Sequence, residues 1–161
     1  MTPPDPASLT PSQQAAAAKV FCGCGRPGGV VVLCGPRGVG TSLVLASVAA
    51  GLARIGRRIL AIDVPLRLDA LDDEIQRPDV VLVDDAHLAD GRELSAVLDR
   101  CRRFAAVVFA GQGRLLTLVA RDNRLEEAVT LRATLRSCTA EETAAIVGRV
   151  SDGTRFDAAA V

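Results

Sequence analysis

The residues best suited to chemistry in this chain are Gly35-Pro36-Arg37-Gly38-Val39-Gly40-Thr41-Ser42, between the apolar run Val30–Cys34 and the alanine-rich segment that starts at Leu43. A phosphate-binding loop needs Gly, four residues, then Gly-Lys-[Ser/Thr]. Here Gly35, Gly40 and Ser42 are in register and Thr41 holds the lysine position. Glycines at 35, 38 and 40 permit positive φ and close backbone approach, so successive N–H groups can curl around a phosphate oxygen. A helix beginning near Thr41 adds unpaired N–H groups and the positive end of its dipole. Ser42 would place a hydroxyl on a Mg²⁺ bridging the distal phosphates, whereas Thr41 cannot supply the charge of the missing lysine. Arg37 is the one cation inside the loop. A glycine-rich strand-to-helix turn without a ligand is the alternative reading.

A second group follows the apolar run Val80–Val83: Asp84-Asp85-Ala86-His87. An acidic residue at the carboxyl end of a buried strand, in a chain that also has a phosphate loop, is where a Mg²⁺–water ligand belongs. Asp84 takes that role. Asp85 falls where such ATPases carry a glutamate that activates water, and it is one methylene shorter. The alternative is that these carboxylates cap the next helix. His87, the only histidine, reads as a packing or hydrogen-bonding residue. Gln112, in Gly111-Gln112-Gly113 after the run Ala105–Ala110, would also lie at a carboxyl strand end, close to a bound phosphate or in a plain turn.

These groups need strands and helices to hold them. Val30–Cys34 is short, apolar and β-branched, as in a strand buried on both faces of a parallel sheet. Ile59–Val64, Val80–Val83 and Ala105–Ala110 read the same way, and Val129–Leu135 alternates as an edge strand does. Helices are expected over Ser12–Phe21, Leu43–Ala53, Leu66–Gln76, Glu93–Arg103, Leu115–Ala120 and Ala140–Val150. Thr139 followed by Glu142 is a capping box for the last of these. Residues 1–11, with four of the eight prolines, read as a disordered lead, and residues 12–161 as a single domain.

Composition narrows the functions. Nineteen basic and 19 acidic residues give a net charge of zero, which argues against a generally basic nucleic-acid binder while leaving room for local patches. All the basic residues except Lys19 are arginine, so no lysine stands near the loop in sequence. The chain has no Trp, no Tyr and four Phe, which disfavours base stacking on aromatic platforms. No apolar run spans a bilayer and no leader is legible, so a cytoplasmic location is expected. Cys22 and Cys24 are closer together than usual zinc pairs.

The motifs together resemble one family. Thr10-Pro11-Ser12-Gln13, Asp84-Asp85-Ala86-His87, Phe109-Ala110-Gly111-Gln112 and Glu141-Glu142-Thr143-Ala144 look like the AAA+ ATPases related to general secretion pathway protein A and the transposition protein TniB. The Asp-Asp-Ala-His segment is also similar to signal-transduction ATPases of the MalT and large LuxR type. The likeness covers about residues 9–158. It implies an α/β three-layer P-loop fold with a parallel five-stranded sheet of order 5-1-4-3-2, and ATP or ADP with Mg²⁺ at the carboxyl ends of the strands. By motif, Gly35–Ser42 would be Walker A, Asp84 and Asp85 Walker B, and Gln112 the sensor-1 position. The sequence departs from the pattern at Thr41 and at Asp85, and it stops where such proteins continue into a helical lid. An arginine finger would be Arg121, Arg124 or Arg132.

The expected function is a nucleotide-binding regulatory protein with weak or absent hydrolysis, acting through a protein partner in a secretion, transposition or regulatory complex. A scaffold that has lost the nucleotide, and an ATPase completed by other subunits of an oligomer, are the alternatives.

Overall fold

Five short apolar runs lie side by side as parallel strands. A computed structural model of the protein describes residues 9–66, 71 and 77–144. The strands are β1 (Val30–Cys34), β2 (Ile59–Ile62), β3 (Val80–Val83), β4 (Ala106–Gly111) and β5 (Leu131–Thr134). Their order is β2-β3-β4-β1-β5, which is the expected 5-1-4-3-2 read from the other edge. Every pairing is parallel, with Val32 opposite Phe109 on one side and Arg132 on the other.

Alternate residues of each strand serve opposite faces. Val31, Leu33, Leu82 and Val108 pack under α1 (Pro11–Gly23) and α2 (Thr41–Arg54). Val30, Val32, Val81, Val107 and Phe109 pack under α3 (Gly91–Cys101), α4 (Gly113–Arg121) and α5 (Asn123–Ala128). The result is a three-layer α/β fold, and it explains why β1, β3 and β4 are apolar throughout: both of their faces are interior. β5, at the edge, is buried only at Ala133. No helix among the described residues is long and apolar enough to cross a membrane.

The helix starts follow the capping chemistry. Thr10 and Gln13 form a reciprocal capping box at α1, and Asp90 and Glu93 form one at α3. The Thr139–Glu142 box forms as expected, at the start of a helix whose residues beyond 144 lie outside the described part. Helix α1 starts one residue before the expected Ser12, and Leu9 and Thr10 are buried, so residues 9–11 of the expected lead belong to the fold. Residues 1–8 lie outside the described part, as does most of the helix expected over Leu66–Gln76. The polar stretch Arg121–Arg124 contains a start signal the sequence reading passed over. Asp122 accepts hydrogen bonds from the Arg124 and Leu125 N–H groups and opens α5.

Two carboxylates tie loops to this frame. Asp79 accepts from the Arg58 backbone N–H at 2.8 Å, and this bond, with the Arg58 guanidinium, holds its carboxyl below the ordinary 3.8. Asp122 accepts from the Ser95 hydroxyl at 2.7 Å, and that bond with the α5 N–H groups lowers it likewise. A carboxyl whose pKa is lowered by folding contributes stability that is full above its unfolded value and lost as pH falls through the folded one. The urea midpoint should therefore fall as pH drops from about 4 through the lowered values. A variant carrying Asp79→Asn and Asp122→Asn should show a shallower acid limb; an unchanged limb would exclude these two groups as its source.

Candidate functional site

The β1–α2 connection curls at the carboxyl end of the sheet. Gly38 and Gly40 have φ of 81° and 87°, the left-handed region that glycine reaches at least cost. Gly40 is the N-cap of α2 and brings no side-chain hydrogen bond to the helix. The first N–H groups of α2 therefore stay open toward the loop. Gly35 needs to be glycine for a different reason than the positive φ expected of it: a Cβ there would lie 2.7 Å from Val39 Cγ2 and 3.0 Å from Leu135 Cβ. Val39 points inward and is buried in the core.

What holds the loop in this shape is Gln13, at the start of α1. Its amide Nε2 donates to the Val39 carbonyl at 2.9 Å, while its Oε1 accepts from the Thr10 N–H at 2.9 Å. The same amide lies where a Cβ on Gly40 would come, 2.5 Å away. Sequence reading placed Gln13 in the first turn of a helix and in the Thr10–Gln13 motif; its bond to the loop depends on a contact 26 residues away in the chain.

Facing the loop is a cleft of about 870 Å³. Pro36, Arg37, Gly38, Gly40, Thr41 and Ser42 line one side, and Asp85, His87, Leu88, Gln112 and Arg114 line the other. The fold thus brings together the loop, Asp85 and Gln112, as the motifs imply. Asp84 does not line the cleft; its Oδ1 accepts the Asp85 N–H at 2.9 Å. Neither carboxylate caps a helix. Asp85 begins a 3-10 turn over Ala86–Leu88 without a side-chain cap bond, and Asp90 caps α3 instead. Asp85 is the one non-glycine residue with positive φ among the described residues, at 49°, and such outliers gather at functional sites.

His87 is buried, with its Nδ1 3.8 Å from Asp85 Oδ1 and without a hydrogen bond. Its ring packs under Gly111, where a Cβ would meet Nδ1 at 2.9 Å and the His87 N–H nitrogen at 3.0 Å. This contact, rather than turn geometry, demands a glycine at the end of β4. Arg114, which the motifs did not single out, donates from Nη1 to the His87 carbonyl at 2.6 Å. One donor of its five-donor fork is thereby fixed on the cleft wall. Of the candidate finger arginines, Arg124 pairs with Asp99 and Arg132 with Glu126, and Arg121 lines a separate shallow cleft with Asp90 and Asp122.

The residues present suit a nucleotide phosphate. The first N–H groups of α2 have no side-chain cap, nothing lies within 4 Å of a Cβ position on Gly38, and His87 Nδ1 is a buried polar atom without a partner. No group of three or more His, Cys, Asp or Glu side chains able to hold a metal occurs among the described residues. A Mg²⁺ here would therefore depend on phosphate oxygens and water for most of its ligands, as this ion commonly does.

No protein-family model matches the chain, and no curated protein matches it by sequence. Solved structures do resemble it. Domain III of the Thermotoga maritima replication initiation protein DnaA superposes with a TM-score of 0.71 at 18% identity, over 94% of this chain and 76% of that one. The Aeropyrum pernix ORC2 protein, in ADPNP–ADP complexes, gives 0.61 at 15% identity over 94% of this chain and 54% of that one. A replication initiator DnaA bound to AMPPCP and single-stranded DNA gives 0.65 at 11% identity over 87% and 50%. The chain spans about half the length of the last two. At these identities the likeness is one of fold, that of an AAA+ P-loop NTPase.

Replacing Gly40 with Ala should cost about 1–3 kcal/mol, from forcing a Cβ residue into the left-handed region and displacing the Gln13 amide. In a Gln13→Ala background the same substitution should cost less, because the obstructing Nε2 is gone. Urea unfolding of the four proteins measures the coupling. Equal costs in both backgrounds would show that Gln13 does not hold the loop.

Proposed function

We propose that the chain is an ATP- or ADP-binding regulatory protein that hydrolyses slowly or not at all and acts through a protein partner. The observation that carries this reading is the open arc of N–H groups at the start of α2, facing a cleft that Asp85, Gln112 and Arg114 share. Gly38, Gly40, Thr41 and Ser42 would hold the distal phosphates by backbone N–H groups, where the helix dipole also favours an anion. Mg²⁺, when bound with the nucleotide, neutralises charge on the phosphate oxygens; Ser42 would hold it directly and Asp84, which stands behind the cleft lining, through a bound water.

Thr41 brings no charge to the phosphates. Arg114 and Arg37 are the two cations on the cleft wall, and Arg114 has the better-defined position because the His87 carbonyl anchors it. Its remaining donors match the fork geometry of a phosphate. Neither arginine occupies the position of the missing lysine. Losing a charge-assisted contact at the transition state costs about 10²–10³ in rate. Asp85, one methylene shorter than glutamate, adds to the expectation of slow hydrolysis. In this reading the bound state is the signal, read by a partner or by neighbouring subunits.

Calorimetric titration with ATP and ADP, with and without Mg²⁺, tests the reading. Binding should be Mg²⁺-dependent, absent in Asp84→Ala, and about tenfold weaker in Arg114→Ala, the loss of one charge-assisted hydrogen bond. Thr41→Lys should tighten binding. Absence of binding by the wild-type protein at millimolar nucleotide would leave a scaffold, or a site completed by another chain.

A further inference from the structure

The zero net charge conceals an uneven distribution between the two ends of the sheet. Six arginines stand in the segments that enter the strands: Arg26 before β1, Arg57 and Arg58 before β2, Arg77 before β3, and Arg102 and Arg103 before β4. The described residues of the same segments (23–29, 55–58, 77–79 and 102–105) contain a single acid, Asp79, which is engaged by Arg58. The connections leaving β2 and β3 differ: residues 63–66 and 84–90 carry Asp63, Asp84, Asp85 and Asp90 and no basic side chain except His87, whereas those leaving β1 and β5 hold the single arginines Arg37 and Arg136.

These entering segments form one continuous surface, as their hydrogen bonds show. Gly28 N–H donates to the Ala105 carbonyl at 3.0 Å, Asp79 N–H to the Arg58 carbonyl at 2.8 Å, and Ala106 N–H to the Asp79 carbonyl at 3.0 Å. Arg57 reaches across to the Gly25 carbonyl at 3.1 Å. Arg26, Arg58, Arg77, Arg102 and Arg103 are exposed. Arg77 lies over the Phe104 ring, its guanidinium carbon 5.3 Å from the centroid, so the nearest aromatic face is already covered.

We propose that this edge binds the phosphate backbone of a nucleic acid, weakly and without reading its sequence. Four adjacent parallel strands place their entering segments about 4.8 Å apart, a row about 14 Å long. The phosphates of a duplex strand rise about 3.4 Å each along the helix axis but stand about 7 Å apart along the winding strand, so about two or three lie along such a row. Arginine forks suit phosphate oxygens bidentately. Phe104 is the one aromatic residue in the described parts of these segments and it is covered, so the backbone of a duplex is favoured over unstacked bases as the occupant. A protein partner would call for an apolar centre. Of the exposed large apolar residues among those described, Phe21, Ile55, Leu88 and Leu116, Ile55 alone lies in these segments, before the edge strand β2, so the row has no apolar centre. This edge is at the opposite end of the strands from the cleft, and the inference is independent of nucleotide binding.

Fluorescence anisotropy of a labelled random-sequence duplex of about 20 base pairs, titrated with the full chain at about 50 mM salt, tests it. Binding should weaken on adding salt, with a log–log slope of roughly −2 to −3 for about two or three phosphates. A variant with Arg26→Ala, Arg102→Ala and Arg103→Ala should lose at least about tenfold in affinity and flatten the slope. None of the three residues lines the cleft; unchanged thermal unfolding of the variant establishes that its fold is intact. Arg26→Lys with Arg102→Lys and Arg103→Lys, which keeps the charge, should retain most of the binding and covers the case of a misfolded alanine variant. Absence of duplex binding at low salt, equal binding by the folded alanine variant, or displacement by polyglutamate as effective as by unlabelled duplex would each overturn the proposal. The last result would assign the edge to an acidic protein.

Discussion

The bond from the Gln13 amide to the Val39 carbonyl is the contact on which the rest of the candidate site depends. Residues 35–40 must turn the chain from a buried strand into a helix whose first N–H groups have no side-chain cap. The Gly35 N–H donates to the Gly111 carbonyl and the Val39 N–H to the Pro36 carbonyl, and the far side of the turn is braced from outside. Gln13 does this from α1, and Thr10 in turn fixes Gln13 through the capping box. A feature that looks like a helix-start signal is thus also the brace of the phosphate loop. Both Thr10 and Gln13 are buried, so water does not compete for these bonds and their loss would leave buried polar groups without partners.

Much of this architecture was legible in the sequence because its signals are local. Apolar β-branched runs bounded by Gly and Pro mark strands in a parallel sheet, and the segments Val30–Cys34 and Val80–Val83 match the observed strands residue for residue. The sheet order came from the family likeness and not from periodicity. Contacts between distant residues were not legible. The need for glycine at 111 arises from the His87 ring, and Arg114 enters the cleft through a bond to the His87 carbonyl. Neither leaves a pattern in sequence spacing. Asp122 was missed for another reason: it caps a helix of only six residues, too short to show a period.

The two ends of the sheet offer different chemistry. Helix N-termini and glycine-rich turns gather at the carboxyl ends of the strands, where backbone N–H groups suit an anion. At the other end, helices finish and strands begin, and the backbone offers no comparable array of donors. Positive charge there is carried by side chains, and arginine in four neighbouring segments supplies it. An overall charge of zero is compatible with such an arrangement because the 19 acids lie mostly outside these four entering segments.

Asp85 acquires a different meaning from its backbone. Aspartate tolerates the left-handed region better than most residues with a Cβ, because its short side chain can bond locally. Glutamate lacks that advantage. The shorter carboxylate at this position is therefore matched to the conformation that aims it, and reach cannot be lengthened here without also loosening the turn. A lineage carrying this turn would have to remodel the backbone between β3 and α3 before a longer acid became neutral to stability. The residue and the turn form one inherited unit, and a change in either is constrained by the other.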